Sequence, residues 1–268
     1  MSGIGTGYDL GVDTYSPEGR IFQVEYASKA VDNSGTAIGV RCKDGVVVGV
    51  EKLLPSKMLE PSTLQRVYPL DKQVGICVAG LQPDGRQIVA RGREECRVYR
   101  DTNAVPITGK SLCNRLGEFL QMHTLYWAYR PFGCAVLLAS YADDGPQLYL
   151  LDPSGTAFGY NACAVGKAKT LAKAELEKLK FDTITCREAV EQVATILTLV
   201  HDDSKDKVFE FELGWVCDES KQTFQLVPEA IRVAALAKAA ANTKDSKEKK
   251  NLVDERERTV KQRSRKNK

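Results

Sequence analysis

Residue types that carry chemistry are sparse in this sequence and rarely close together. Only His123 and His201 occur among 268 residues, which excludes a His-rich metal site. His123 falls on an apolar helical stripe and reads as a hydrogen-bonded core residue rather than a general base. The eight cysteines, at 42, 77, 96, 113, 134, 163, 186 and 217, are never closer than 17 residues. No Cys-x-x-Cys metal or redox motif exists, and thiols set in apolar strand patterns read as buried and free in a reducing compartment. Gly3-x-Gly5-x-Gly7 matches a nucleotide loop in composition alone, since no strand precedes it and no Gly-Lys-Ser/Thr appears. No cofactor and no metal is expected.

Charge narrows the choice further. Residues 243–268 hold 11 Lys/Arg against 5 Asp/Glu, a surplus of +6, and the remaining 242 residues hold 27 against 30, or −3. The basic segment reads as a solvated, disordered tail. It has no aromatic residue to stack a base, so nucleic acid is not an expected partner beyond a salt-sensitive side contact. The first residues show neither a basic n-region nor an apolar h-region, and no apolar run of about 18 residues occurs, so a soluble, non-secreted chain with no membrane partner is expected.

The elements that must position any site follow from pattern. After Ser16-Pro17-Glu18-Gly19, the residues Phe22, Tyr26 and Ala30 form one helical stripe, and Ile21, Val24 and Val31 a second. A helix apolar on two sides is either a central core helix or one that shares a side with a neighbouring chain. Alternating residues 36–40, Asp44-Gly45 and the valine run 46–50 predict a hairpin, and 64–69 with 73–79 a second. Asp84 is placed to cap a helix over 84–99, and a stripe from Leu112 through Leu116, Phe119, Leu120 and His123 to Trp127 predicts another. Strands follow at 134–141 and 147–151, with a further pair at 156–160 and 162–165. Next come helices at 167–180 and after Thr185, which has Glu188 at capping-box spacing. Phe209, Phe211 and Leu213 alternate with Glu210 and Glu212, predicting a strand with one wet face; 222–227 is its partner, and Pro228 starts a last helix. Hairpins separated by helix pairs do not fit strict βαβ alternation; a four-layer sandwich and other α+β arrangements both remain open. No linker divides the first 240 positions, so we expect one domain over 1–242 with a tail at 243–268.

Tyr15-Ser16-Pro17-Glu18-Gly19-Arg20-Ile21-Phe22-Gln23-Val24-Glu25-Tyr26-Ala27 resembles the N-terminal signature of proteasome alpha subunits at every position. The resemblance continues through Gly35-Thr36-Ala37-Ile38-Gly39-Val40, Lys43-Asp44-Gly45-Val46-Val47, Ala79-Gly80-Leu81, Arg130-Pro131-Phe132-Gly133, Leu148 to Gly155 and Gly159-Tyr160. It implies an α/β (α+β) fold: the four-layer αββα sandwich of two antiparallel sheets found in N-terminal nucleophile hydrolases. Active members of that fold use an N-terminal threonine whose freed amino group is the base, helped by a lysine and an aspartate. In the family's catalytic beta subunits the nucleophile lies ten residues before the turn glycine. Here that glycine is Gly45, which puts Gly35 rather than Thr36 at the nucleophile position. Glu51 stands at the aspartate position and Arg66 near the lysine, and arginine stays protonated. Thr36 then reads as an ordinary β-branched strand residue, and the 34 residues before Gly35 read as signature rather than as a discarded propeptide.

The resemblance therefore implies a noncatalytic alpha-ring subunit of the 20S core particle. Its implied partners are six other alpha subunits, the beta ring, and activators or a regulatory particle at the alpha-ring face. Its implied work is ring assembly, substrate gating and activator docking in ubiquitin-dependent and ubiquitin-independent degradation, in cytoplasm and nucleus. Residue by residue, Tyr8, Asp9, Pro17 and Tyr26 match a gate-stabilising cluster, although Leu10 replaces a frequent arginine. Residues 1–12 are small, polar and glycine-rich, a composition with a high ordering entropy that suits a tail packed across a pore or displaced from it. Arg66, Gly80 and Leu81 match a pocket that receives activator C-terminal carboxylates. Phe22, Val24 and Tyr26 are assigned to the ring interface. The alternatives are a self-processed threonine hydrolase exposing Thr36 and a nucleic-acid-binding adaptor acting through the basic tail.

Overall fold

The computed structural model describes residues 7–54, 56, 58–142, 144–201 and 209–241. Expectations for residues 1–6 of the tail and for the basic segment 243–268 lie outside them. The first helix, α1, spans Phe22–Asp32 and is followed by the hairpin β1 (Ala37–Cys42) and β2 (Gly45–Leu53). The chain continues through β3 (Val67–Asp71), β4 (Val74–Gly80), α2 (Gln82–Asn103) and α3 (Gly109–Met122). Then come β5 (Cys134–Ala142), β6 (Gly145–Leu151), β7 (Ala157–Gly159), β8 (Ala162–Val165), α4 (Lys169–Leu176) and α5 (Cys186–Val200). Last are β9 (Phe209–Cys217), β10 (Gln225–Leu226) and a helix α6 over 229–241.

Two antiparallel sheets result, in strand orders β10-β9-β2-β1-β8 and β3-β4-β5-β6-β7. Val46, Val48, Val50 and Val216 of the first meet Cys77, Ala79, Ala135 and Leu137 of the second in the central layer. On the outer face of the first sheet, Val47, Leu213 and Trp215 pack under Ala189, Val193 and Leu197 of α5. On the other side, Ile76, Val78, Val136 and Leu138 pack under Ile88, Leu112, Leu116 and Leu120 of α2 and α3. The architecture is the αββα sandwich. Strands buried on both faces explain why 46–50 is a continuous valine run instead of an alternating one. Among the described residues no helix is long and apolar enough to cross a membrane.

Four expectations need correction. Strands β7 and β8 do not pair with each other: β7 joins β6 and β8 joins β1, so Tyr160-Asn161 carries the chain between sheets. Burial of Cys163 and Val165 in the central layer outweighs the local hairpin. Asp84 does not cap α2, which starts at Gln82 behind Leu81; its carboxylate is taken by Arg130 and Gly133. Helix α3 stops at Met122, where Thr124 and His123 turn their N–H groups back onto Gln121 and Leu120, and Trp127 is left 81% exposed. Finally, the glutamates of β9 are not simply wet: Glu212 accepts from the Arg66 and Val67 amides and pairs with Lys52 at 2.7 Å.

Candidate functional site

The signature segment folds into a closed turn followed by a helix. The Ser16 amide reaches the Arg20 carbonyl at 2.9 Å, the Ser16 hydroxyl accepts from the Arg20 amide at 3.1 Å, and Gly19 supplies the positive φ of +75° that the turn requires. Arg20 then pairs with Glu25 in the first turn of α1. The stripes differ from the two expected: Phe22, Ala27 and Val31 are buried against the body, while Val24 and Tyr26 are half-buried. Of the proposed ring-interface residues, Phe22 is thus 7% exposed within this chain alone.

Asp9 is tethered twice to that helix. Gln23 Nε2 donates to the Asp9 carbonyl at 2.5 Å, and the Tyr26 hydroxyl to its carboxylate at 3.3 Å. Desolvation, then the nearby Asp9 charge, holds the Tyr26 phenol above its ordinary range. The structure brings Asp9 and Tyr26 together, whereas Tyr8 and Pro17 remain exposed. Among the described residues of the tail, Val12 is buried, 3% exposed, a feature that sequence reasoning missed.

Arg66, Gly80 and Leu81 do come together. The Arg66 guanidinium donates to the Gly80 carbonyl at 2.5 Å, and the Leu81 amide to the Gly133 carbonyl at 2.9 Å. Burial pulls the Arg66 pKa below its ordinary value. Gly80 has φ +120°, and a Cβ there would meet the Gly133 carbonyl at 2.3 Å, so only glycine fits this close approach. Gly133 is in turn fixed by Asp84, which accepts from its amide and, in bidentate fashion, from Arg130, each at 2.8 Å. A Cβ at Gly133 would lie 3.5 Å from Ala30, so α1, carrying the tail, leans on the same wall.

The position of a hydrolytic nucleophile is filled. A Cβ at Gly35 would lie 2.3 Å from the Glu51 carbonyl oxygen, leaving no space for any side chain. Thr36 is fully buried; its hydroxyl accepts from the Ala168 amide at 3.2 Å, and its own amide donates to Glu51 at 3.2 Å. The other Glu51 oxygen lies 2.6 Å from His201 Nδ1, with both side chains almost wholly buried. Gly35 has no side chain and the Thr36 hydroxyl is buried and already hydrogen-bonded, so neither residue presents a nucleophile of the kind a threonine hydrolase uses.

Comparison with known proteins settles the ancestry of this arrangement. The model of the proteasome subunit family matches residues 31–216, and the model of the N-terminal signature of A-type proteasome subunits matches 8–30. The chain belongs to the proteasome subunit family. It is 52% identical over 241 residues to the proteasome alpha type-3 subunit of Spinacia oleracea, covering 90% of this chain and 97% of the relative. It is 51% identical over 245 residues to the Arabidopsis thaliana protein of that name, covering 91% and 97%. To the probable proteasome alpha type-7 subunit of Saccharomyces cerevisiae it is 47% identical over 218 residues, covering 80% and 76%. Signature and relatives alike make it an alpha-type subunit of the 20S core, a noncatalytic one that assembles with other alpha and beta subunits.

Two features of this alpha subunit escaped sequence reasoning. His201 as the partner of Glu51 had no local signal, because 150 positions separate them. Cys42, Asp44 and Cys186 also meet, with their ligand atoms within 4.8 Å of one another. No local signal pointed to this, because Asp44 lies in the turn after β1 and Cys186 stands 142 positions further on.

Proposed function

We propose that this alpha subunit sits in a ring with six other alpha subunits, stabilises the gate through its tail, and receives activators beside Arg66. The double tether of Asp9 to Gln23 and Tyr26 carries the reading. It holds the tail by polar contacts of modest strength, which suits a segment that alternates between two positions. Arg66 serves as an anchor for an incoming carboxylate, and the wall of Gly80 and Leu81, with Leu81 46% exposed, lies beside it. The +6 surplus of residues 243–268 supports work in the nucleus as well as the cytoplasm. Neither the hydrolase nor the nucleic-acid adaptor is favoured by any described contact. In reconstituted particles, Arg66→Ala is expected to abolish most activator-stimulated peptide hydrolysis while Arg66→Lys retains part of it. Stimulation unchanged in Arg66→Ala sinks the docking assignment.

A further inference from the structure

Charge stands where the valine run of the central layer ends. Val46, Val48 and Val50 of β2 line that layer, and strand alternation puts Lys52 next on the same face. On β9, Glu212 lies opposite Val50 in the register, so it too belongs to the inner face. The two side chains are only 6% and 11% exposed, with the Lys52 ammonium 2.7 Å from Glu212 Oε1. Lys52 also donates to the Pro61 carbonyl at 3.1 Å, in the segment that leads into β3. The other Glu212 oxygen crosses from the first sheet to the second. It accepts from the Arg66 amide at 2.7 Å and from the Val67 amide at 3.0 Å, where β3, the edge strand of its sheet, begins. One pleat away, a Cβ at Gly214 would meet Val67 Cγ1 at 2.7 Å, so β9 and β3 are in close contact at this point.

We infer that Glu212, held by Lys52, is a positioning residue: it fixes the backbone of Arg66 and so aims the guanidinium at the C-terminal carboxylate of an activator. This rests on the docking reading of Arg66 given above. A buried ion pair is weak evidence for stability, since apolar side chains of similar volume would serve the contact between the sheets as well. They could not hold two amides of another strand on one oxygen. Hydrogen bonds to a carboxylate are short and strong, so the pair fixes the start of β3 more closely than packing would. Arg66 is held at three points: its amide by Glu212, its carbonyl by the Val78 amide at 2.9 Å, and its guanidinium by the Gly80 carbonyl at 2.5 Å. A long side chain ordered in advance loses less freedom when a ligand arrives. The Gly80 carbonyl takes one of the five guanidinium N–H donors, and a bidentate face suits a carboxylate. Glu210 Oε2 lies 3.9 Å from the same ammonium and has no hydrogen bond of its own, so Lys52 retains a neighbouring countercharge when Glu212 is replaced.

The test titrates a purified activator against reconstituted particles carrying the full chain and reads stimulated peptide hydrolysis. Glu212→Leu removes the acceptor at similar volume. If the productive aim of Arg66 falls to about one tenth of its population, the half-saturating activator concentration rises about tenfold while the maximal stimulated rate holds. Glu212→Gln keeps one acceptor oxygen, should raise that concentration only about threefold, and carries the test if the leucine variant fails to assemble. In an Arg66→Ala background neither change should add anything, because the residue acts through Arg66. An unchanged half-saturating concentration in both Glu212 variants, beside an Arg66→Ala particle that docks poorly, would overturn the positioning role and leave the docking site standing. An equal effect with and without Arg66, or a loss confined to the maximal rate, would mark Glu212 as merely structural and overturn it too. If Arg66→Ala itself changes nothing, the docking reading falls and takes this inference with it.

Discussion

The Gly35 mouth and the Asp9 tail are joined by a single helix, yet they are held in opposite ways. At the mouth, Thr36, Glu51, His201 and Ala168 bind one another in the interior, and backbone oxygen occupies the place of a nucleophile. At the tail, two hydrogen bonds from half-buried side chains hold Asp9 against α1, and Val12 is buried nearby in sequence. The first is over-determined and costly to open; the second is cheap to release. A fold that elsewhere performs hydrolysis here has the position of its nucleophile filled.

The sharpest way to break that contrast is to restore a threonine where the nucleophile of a catalytic relative would stand. Gly35→Thr forces a side chain into backbone rather than into a movable side chain, so the destabilisation should be about 3 kcal/mol or more. Thermal unfolding measures it, and no new peptidase activity should accompany it. A stable Gly35→Thr variant would show that the mouth is empty and not filled.

A second, smaller effect tests the wall that joins the two regions. Arg130 and then the Gly133 amide hold the Asp84 carboxyl below its ordinary 3.8. A depressed folded pKa gives stability that is fully present above the unfolded value and is lost as pH falls through the folded one. Wild type should therefore lose this contribution only below about pH 4. Asp84→Ala should be destabilised at neutral pH by about 2 kcal/mol and should lack that acid-dependent step. Arg130 is 62% exposed along its side chain, so its share is screened and the buried Gly133 amide carries most of the loss. Melting curves from pH 3 to 7 decide the matter; parallel profiles would remove Asp84 from the wall.

The same contrast explains what could be read in advance. Hairpins with Asp-Gly turns and the capping box at Thr185 and Glu188 were legible because each is fixed by neighbours in sequence, whereas the stripe of α1 was only partly so. The pairing of β8 with β1 and the fate of Asp84 were not, since each is decided by residues tens of positions away. Thr36 read correctly as no nucleophile, but its hydrogen bonds to Ala168 and Glu51 had no trace in composition. Of the four residues assigned to a gate, Asp9 and Tyr26 meet, and Gln23, the nearer partner of Asp9, was not singled out.

That unequal pair of tethers gives the mildest and most discriminating prediction. At 3.3 Å the Tyr26 hydroxyl bond is long, while the Gln23 amide at 2.5 Å reaches the Asp9 backbone and survives any change to the Asp9 carboxylate. Tyr26→Phe keeps the ring, its stacking with Phe22 and the position of Lys29 over its face, and removes only the hydroxyl. Melting should not change, and peptide hydrolysis by particles without activator should rise about twofold as the tail spends more time displaced. Gln23→Ala should raise it further, and the double variant further still, if the two bonds share one tail. Because the phenol is held above its ordinary range, the effect should be flat across neutral pH, where the hydroxyl remains a donor. A Tyr26→Phe particle with unchanged basal hydrolysis, beside a Gln23→Ala particle that opens, would confine the tether to the backbone of Asp9. Unchanged hydrolysis in both would leave the tail as tightly held as the mouth and remove the contrast.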